Sequence, residues 1–191
     1  MCIRDSVGAI RAAQLGLKVC IIEREKLGGV CLNWGCIPTK ALIKNAEVYS
    51  LIKQSEKYGV NVQNITVDFK KNVKRSRDTS KRLSKGIEFL MKKNKIKHLN
   101  GFGRFTSENN IEINKNDIVS TVEADKIIIA TGAKPKAFPD LSFDSVNVIS
   151  SKEAMLLENP PKDLVIIGSG AIGMEFAYYF NEFGTRVHIV E

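Results

Sequence analysis

Residues 164–173 read Leu-Val-Ile-Ile-Gly-Ser-Gly-Ala-Ile-Gly. The run Leu164–Ile167 has the unbroken, β-branched composition of a buried parallel strand. A helix is predicted from the glycines to Phe183, where Gly184 ends it, and a second strand, Arg186–Val190, leads into Glu191. Three glycines spaced GxGxxG are a weak signal alone. Set between a strand and a helix, with an acid closing the next strand, they form a dinucleotide-binding unit. Gly168, Gly170, Ala171, Ile172 and Gly173 are its candidate phosphate-binding residues, because a helix N-terminus offers unpaired amides to an anion. A carboxylate at Glu191 accepts hydrogen bonds from a ribose diol and repels a 2′-phosphate, which favours NAD over NADP.

The same pattern occurs earlier in the chain. An alanine-rich helix over Val7–Leu15 closes at Gly16, and a strand over Lys18–Glu23 ends in an acid. Gly16 aligns with Gly184 and Glu23 with Glu191, a constant offset of 168 residues. By that offset the first unit's glycines would fall one place before Met1, on Cys2 and on Asp5. An aspartate there would bring negative charge to a phosphate site. The expectation is a chain that enters inside the first helix of a Rossmann unit, with Met1–Ser6 non-native, and that ends within a second unit.

Between the two units lies Gly28-Gly29-Val30-Cys31-Leu32-Asn33-Trp34-Gly35-Cys36-Ile37-Pro38-Thr39-Lys40. Its cysteines are five positions apart in a glycine-rich, turn-rich stretch. Proline suits a first helical position, so Cys36 is expected at or just before a helix N-terminus, where the dipole favours thiolate. A second cysteine in reach is what thiol–disulfide exchange requires. Core filling fits a turn-rich loop poorly. Zinc would need ligands that distant His98 and His188 do not supply at knuckle spacing, so no metal site is assigned. Cys20, mid-strand, reads as a buried inert thiol, and His188 as a core or edge residue of a buried strand.

The net charge is +8, with the lysines and arginines concentrated between Lys70 and Lys97. Few aromatics interleave with them, so a solvated helix face is the reading and no nucleic-acid partner is assigned. No apolar run is long enough for a membrane helix, and no signal peptide is visible. A single close cysteine pair suits a reducing compartment, the bacterial cytoplasm or a mitochondrial matrix.

Elsewhere, helices are expected over Ala41–Lys57 and Asp68–Asn94. Asp68 would cap the second, and Phe69, Val73, Leu83, Ile87, Leu90 and Met91 would form its apolar stripe. Strand-like runs follow at Ile96–Leu99, Gly103–Thr106, Asn110–Ile113 and Ile118–Val122, then a continuous strand over Ala124–Ala130 that turns at Thr131-Gly132-Ala133. Pro135–Ser151 reads as a linker.

From Val7 to Glu191 the chain resembles the flavoprotein disulfide reductases, and the wording of Gly28–Leu42 is most similar to the dihydrolipoamide dehydrogenase branch. The resemblance implies an α/β fold in two parts. Residues 1–147 would be a three-layer, Rossmann-like FAD-binding domain with an antiparallel meander, lacking its first strand. Residues 148–191 would begin a Rossmann NAD-binding domain. It implies a redox disulfide Cys31–Cys36, with substrate at Cys31 and the flavin nearest Cys36. Lys40 would lie under the flavin, paired with Glu175, an acid whose apolar neighbours call for a partner. Glu23, Arg24, Gly28, Gly29, Val30, Cys31, Lys40, Gly103, Thr131, Gly132 and Ala133 would face FAD. The implied reaction passes electrons from dihydrolipoamide through the disulfide and FAD to NAD+. The implied partners are lipoyl domains of 2-oxoacid dehydrogenase or glycine cleavage complexes and a second copy in a homodimer, whose C-terminal domain would supply a His–Glu base. This chain alone is expected to be inactive. A mercuric or glutathione reductase type shares the cysteines and Lys40, and a non-catalytic nucleotide-binding module is the alternative from another class.

Overall fold

The computed structural model describes residues 4–191; Cys2 lies outside them. In chain order the elements are α1 (Arg4–Gln14), β1 (Cys20–Glu23), α2 (Gly29–Trp34), α3 (Cys36–Lys53), α4 (Phe69–Lys93), β2 (Lys97–Asn100), β3 (Phe102–Phe105), β4 (Asn110–Lys115), β5 (Ile118–Glu123), α5 (Ser151–Ala154), β6 (Asp163–Ile167), α6 (Ala171–Glu182) and β7 (Arg186–Val190). A 3₁₀ turn, Ser55–Tyr58, follows α3. The chain forms two compact units, one built from the residues up to Asn33 with Lys81–Ala133, the other from Trp34–Ser80 with Lys134–Glu191.

In the first unit β1 pairs in parallel with β2, Cys20 opposite Lys97 and Glu23 opposite Asn100. Parallel pairing needs a long crossover, and the intervening helices provide it. β3, β4 and β5 form an antiparallel meander. The strand-like run read over Ile96–Leu99 forms β2 and stands apart from the strand runs that follow it, as the parallel partner of β1: pairing over such a separation leaves no local sequence signal. Ala9, Ile21, Leu27, Met91 and Ile96 form this unit's buried cluster.

Three further expectations for this unit are corrected. Ala124–Ala130 forms no strand. A strand needs a neighbour for its N–H and C=O groups, and among the described residues only the Ala124 amide finds a backbone partner, the Asn109 carbonyl at 2.9 Å. Ile128 and Ile129 are accordingly 80% and 70% exposed. Cys20 is half-buried rather than buried. The stretch after Gly28, read as loop, contains the helix α2.

The second unit packs α3 and α6 around Leu42, Ala46, Phe69, Met155, Phe176, Tyr179 and Phe180. β6 and β7 pair in parallel, Asp163 opposite Arg186 and Ile167 opposite Val190. Their first residues also share an ion pair, Arg186 Nε to Asp163 Oδ1 at 2.5 Å. Both strands were expected to be buried. They are largely exposed, His188 included, because two strands covered by α6 on one face leave the other face open.

α3 begins at Cys36 and ends at Lys53, so the helix expected over Ala41–Lys57 starts and stops earlier. Pro38 sits in its first turn, where amides have no intrahelical partner and a missing N–H loses nothing. Asp68 caps α4, accepting the Lys71 amide at 3.0 Å. α4 carries ten Lys and Arg against Asp78 and Glu88, a surplus equal to the net charge of the whole chain. Its inner stripe differs from the expected one. Leu83 and Leu90 are exposed, while Ser76, Ser80 and Ser84, spaced by four, are buried. Ser76 Oγ donates to the Pro38 carbonyl at 2.9 Å, and Ser84 Oγ to the Leu27 carbonyl at 3.1 Å. Small polar side chains let backbone approach the helix and still find donors.

Asp144 organises the Pro135–Ser151 connection. Its Oδ1 accepts the amides of Val146, Asn147 and Val148, each at 2.8 Å. These bonds hold its carboxyl below the usual carboxylate range, as the Ser150 hydroxyl and then backbone amides do for Glu153 in the capping box of α5. A depressed folded pKa means the unfolded chain takes up protons first as pH falls. The stabilisation is therefore complete above the ordinary carboxylate pKa of about 4 and disappears as pH drops through the lower folded values. Thermal melts between about pH 5 and pH 3 should show stability falling with acid, and Asp144→Asn should make that fall shallower.

Candidate functional site: a cysteine pair and a nucleotide turn

Cys36 is the first residue of the 18-residue helix α3 and is exposed. Gly35 precedes it as N-cap with no side-chain cap, so no side chain neutralises the amide end at which Cys36 stands. Cys31 is buried on α2. Gly28 and Gly29 lead into α2 with φ of 100° and 65°. A Cβ on Gly28 would lie 2.8 Å from Leu32 Cδ1, so both backbone sign and space require glycine there. Val30 is exposed on the same short helix.

Lys40, one turn after Cys36, forms a direct ion pair with Glu175 of α6. The two are 135 residues apart in sequence. The lysine side chain is 60% exposed, and pairs of that kind contribute roughly 0–1 kcal/mol. The pair's interest is therefore placement: it joins the helix that starts at Cys36 to the helix that follows the glycine turn.

That turn is built as its glycines demand. Gly168 has φ of 103°, and its amide donates to the Val190 carbonyl at 2.7 Å. Gly170, the N-cap of α6, has open space where a Cβ would project. A Cβ on Gly173 would run into the carbonyl oxygen of Gly168, so the third glycine permits helix and strand to approach. Ala171 and Ile172 are exposed in the first turn of α6. Glu191 Oε2 accepts the Ser169 amide at 2.5 Å, which holds its carboxyl below the usual range. This donor and acceptor set fits a dinucleotide.

The residues assigned to FAD fit that group only in part. Glu23 closes β1, but its Oε1 accepts the Glu25 amide at 2.7 Å. Arg24 lies over the Phe102 ring, 5.7 Å from its centroid. On β3, Gly103 has Ile22 Cγ2 only 3.3 Å from where a Cβ would be. Thr131, Gly132 and Ala133 lie exposed outside any strand, Gly132 with φ of 77°. At the start of α1 the Asp5 carboxylate accepts the Ser6 amide at 2.7 Å. An acid on that helix end does not fit a pyrophosphate.

His98 and His188 are exposed on their strands, and no group of three or more metal-ligating side chains occurs among the described residues. No helix among them is long and apolar enough to cross a membrane. The ring of Trp34 carries two cations, Arg77 at 4.2 Å and Lys152 at 4.5 Å from its centroid. The buried serines of α4 and the carboxamide of Asn33 also escaped the sequence reading. For the serines a signal was present, the i, i+4, i+8 spacing of small residues on an otherwise basic helix.

Curated relatives share this chain's sequence over almost all of its length. The dihydrolipoyl dehydrogenase of Chlorobaculum parvum is 44% identical over 96% of the chain, and that of Bacillus subtilis 38% identical over 97%. The chain spans 39% and 41% of the length of those two relatives. The fold matches LpdA from Mycobacterium tuberculosis with a TM-score of 0.87 at 21% identity, covering 98% of this chain and 41% of that one. It also matches RclA, an HOCl-induced flavoprotein disulfide reductase from Escherichia coli, with a TM-score of 0.80 at 27% identity, covering 97% of this chain and 39% of that one. The sequence profile described as "Pyridine nucleotide-disulphide oxidoreductase" matches residues 7–191, which takes in both the cysteine segment and the glycine turn. With an exposed cysteine opening one helix, and that helix ion-paired to the helix that follows the glycine turn, the chain belongs to the pyridine nucleotide-disulphide oxidoreductase family.

Proposed function

We propose that this chain is the part of an NAD-dependent dihydrolipoyl dehydrogenase that carries its redox disulfide and the start of its NAD site. The observation that carries the reading is the Lys40–Glu175 pair, which ties the Cys36 helix to the nucleotide helix. The relatives' names supply the substrate class. In this reading residues 1–147 belong to the FAD domain and 148–191 to the NAD domain. Lipoyl domains of 2-oxoacid dehydrogenase or glycine cleavage complexes are the partners, and the whole enzyme is a homodimer.

The chemistry proposed for this chain's own residues is thiol–disulfide exchange. One thiolate of dihydrolipoamide attacks Cys31 Sγ, the Cys31–Cys36 bond breaks, and Cys36 leaves as a thiolate at the amide end of α3. The second lipoamide thiolate then attacks its own sulfur in the mixed disulfide. Cys31 is released and lipoamide closes its ring. Two electrons and two protons pass to the cysteine pair. FAD, when bound, supplies a two-electron carrier between dithiol and pyridine nucleotide. Lys40, one turn after Cys36 on α3, is held by its ion pair with Glu175. Gly168, Gly170, Ala171, Ile172, Gly173 and Glu191 bind the NAD pyrophosphate and adenosine ribose.

The test needs no cofactor. The oxidised chain is mixed with dihydrolipoamide, and lipoamide is measured by chromatography. The expected result is one lipoamide per chain, formed faster than glutathione at equal thiol concentration reduces the same disulfide. Equal rates, or no lipoamide, would overturn the substrate assignment.

A further inference from the structure

The carboxamide of Asn33 closes the segment that carries Cys31. Asn33 is buried near the end of α2. Its Nδ2 lies 3.1 Å from the Leu27 carbonyl and 3.0 Å from the Gly29 carbonyl, with Lys26 O further away at 3.5 Å. The Leu27 carbonyl also accepts Ser84 Oγ from α4 at 3.1 Å, and the Leu27 side chain belongs to the unit's buried cluster. Between these anchors the chain reverses through Gly28 and Gly29, both at positive φ, and winds into α2. Cys31 sits inside that closed turn.

An amide nitrogen carries two hydrogens, and here each meets a backbone acceptor. A carboxylate of the same shape has no donor and would face the carbonyl oxygens with negative charge. A hydroxyl has one donor and a shorter reach. Without the carboxamide these carbonyls lose a side-chain donor, the Leu27 carbonyl keeping only that of Ser84, and the glycines that open α2 offer no resistance to unwinding.

We infer that Asn33 is a positioning residue for the Cys31–Cys36 pair: by tying α2 to the Leu27 and Gly29 carbonyls it fixes where the Cys31 sulfur is presented. Ser84 supports it through the shared Leu27 carbonyl. The inference rests on the reading of Cys31 and Cys36 as a redox pair. It adds the residues that keep the pair's effective concentration high, because a loosened α2 spreads Cys31 over many positions that cannot reach its partner.

The test is the equilibrium of the full chain with dithiothreitol. Protein dithiol and oxidised dithiothreitol give the Cys31–Cys36 disulfide and reduced dithiothreitol; one S–S bond forms as the other breaks, and two electrons and two protons move to dithiothreitol. Peptide mapping reads the disulfide at each ratio. Asn33→Ala should lower the equilibrium constant about tenfold or more. Asn33→Asp should be nearer wild type at low pH, where the protonated acid can donate once. It should fall further behind wild type, compared at the same pH, as the acid ionises. A merely structural loss would not track that titration. Ser84→Ala removes one donor from the same carbonyl and should shift the constant in the same direction by a few-fold, which keeps the inference testable if the Asn33 variants do not fold. Wild-type constants in Asn33→Asp and Ser84→Ala at every pH would overturn the positioning role with the redox reading intact. Failure of the wild-type chain to form the disulfide would overturn both.

Discussion

Phe180→Ala is expected to destabilise the chain by about 3–5 kcal/mol. Phe180 is 0% exposed, and its ring contacts those of Tyr179 at 5.0 Å, Phe176 at 6.1 Å and Phe69 at 6.3 Å between centroids. Removing it takes away a large apolar surface and leaves a cavity walled by stiff aromatic rings, which collapse poorly into the space. A domain of this size has only about 5–15 kcal/mol of net stability, so one substitution would remove a large share of it. The denaturation midpoint should fall while the slope stays constant. Phe89 is the internal comparison: the same residue type on α4, but 65% exposed. Phe89→Ala should change stability by no more than about 0.5 kcal/mol. The same contrast bears on function, because α6 carries both Phe180 and Glu175. If the aromatic core fails, the ion pair to Lys40 loses its platform, and nucleotide binding should weaken in parallel with stability.

Cys36→Ser should abolish lipoamide formation in the stoichiometric exchange, leaving only the rate of the protein-free mixture. Cys31→Ser should do the same, because neither variant can form the disulfide that dihydrolipoamide reduces. Cys20→Ser should leave the exchange unchanged. The two cysteines of the pair differ in setting, however. Cys36 is exposed at the head of α3, and Cys31 is buried on α2. With both thiols reduced, an alkylating reagent should therefore modify Cys36 first. If Cys31 reacted first, the buried position of α2 would not describe the reduced protein.

Much of the site was legible because its signals are local. A proline just past a cysteine, no competing cap and a run of good helix formers mark the start of α3. Three glycines between an apolar run and a second helix mark the glycine turn that opens α6. Glu175 was flagged as an acid among apolar neighbours, and Lys40 is the cation it meets. What escaped was set by partners distant in sequence. Nothing in Lys-His-Leu-Asn says that Lys97–Asn100 pairs with Cys20–Glu23 rather than with the meander. Ile127–Ala130 has strand composition, but a strand is a property of two segments, and this one has no partner among the described residues. Leu83 and Leu90 lost the inner face of α4 to serines, because the middle of the helix lies against backbone carbonyls, while Phe69 and Met91 at its ends enter the apolar clusters. The glycines before Cys31 suggested a loop, yet their positive φ values are what turn the chain into α2.

On the function proposed above, Cys31 and Cys36 are a redox pair served by this fold. Peptide mapping of the oxidised chain under non-reducing conditions, after alkylation of remaining thiols, tests it most directly. The predicted result is a Cys31–Cys36 disulfide with Cys20 alkylated, which dihydrolipoamide then opens. Recovery of Cys31 and Cys36 as separate alkylated thiols, or of Cys20 bonded to either, would contradict it.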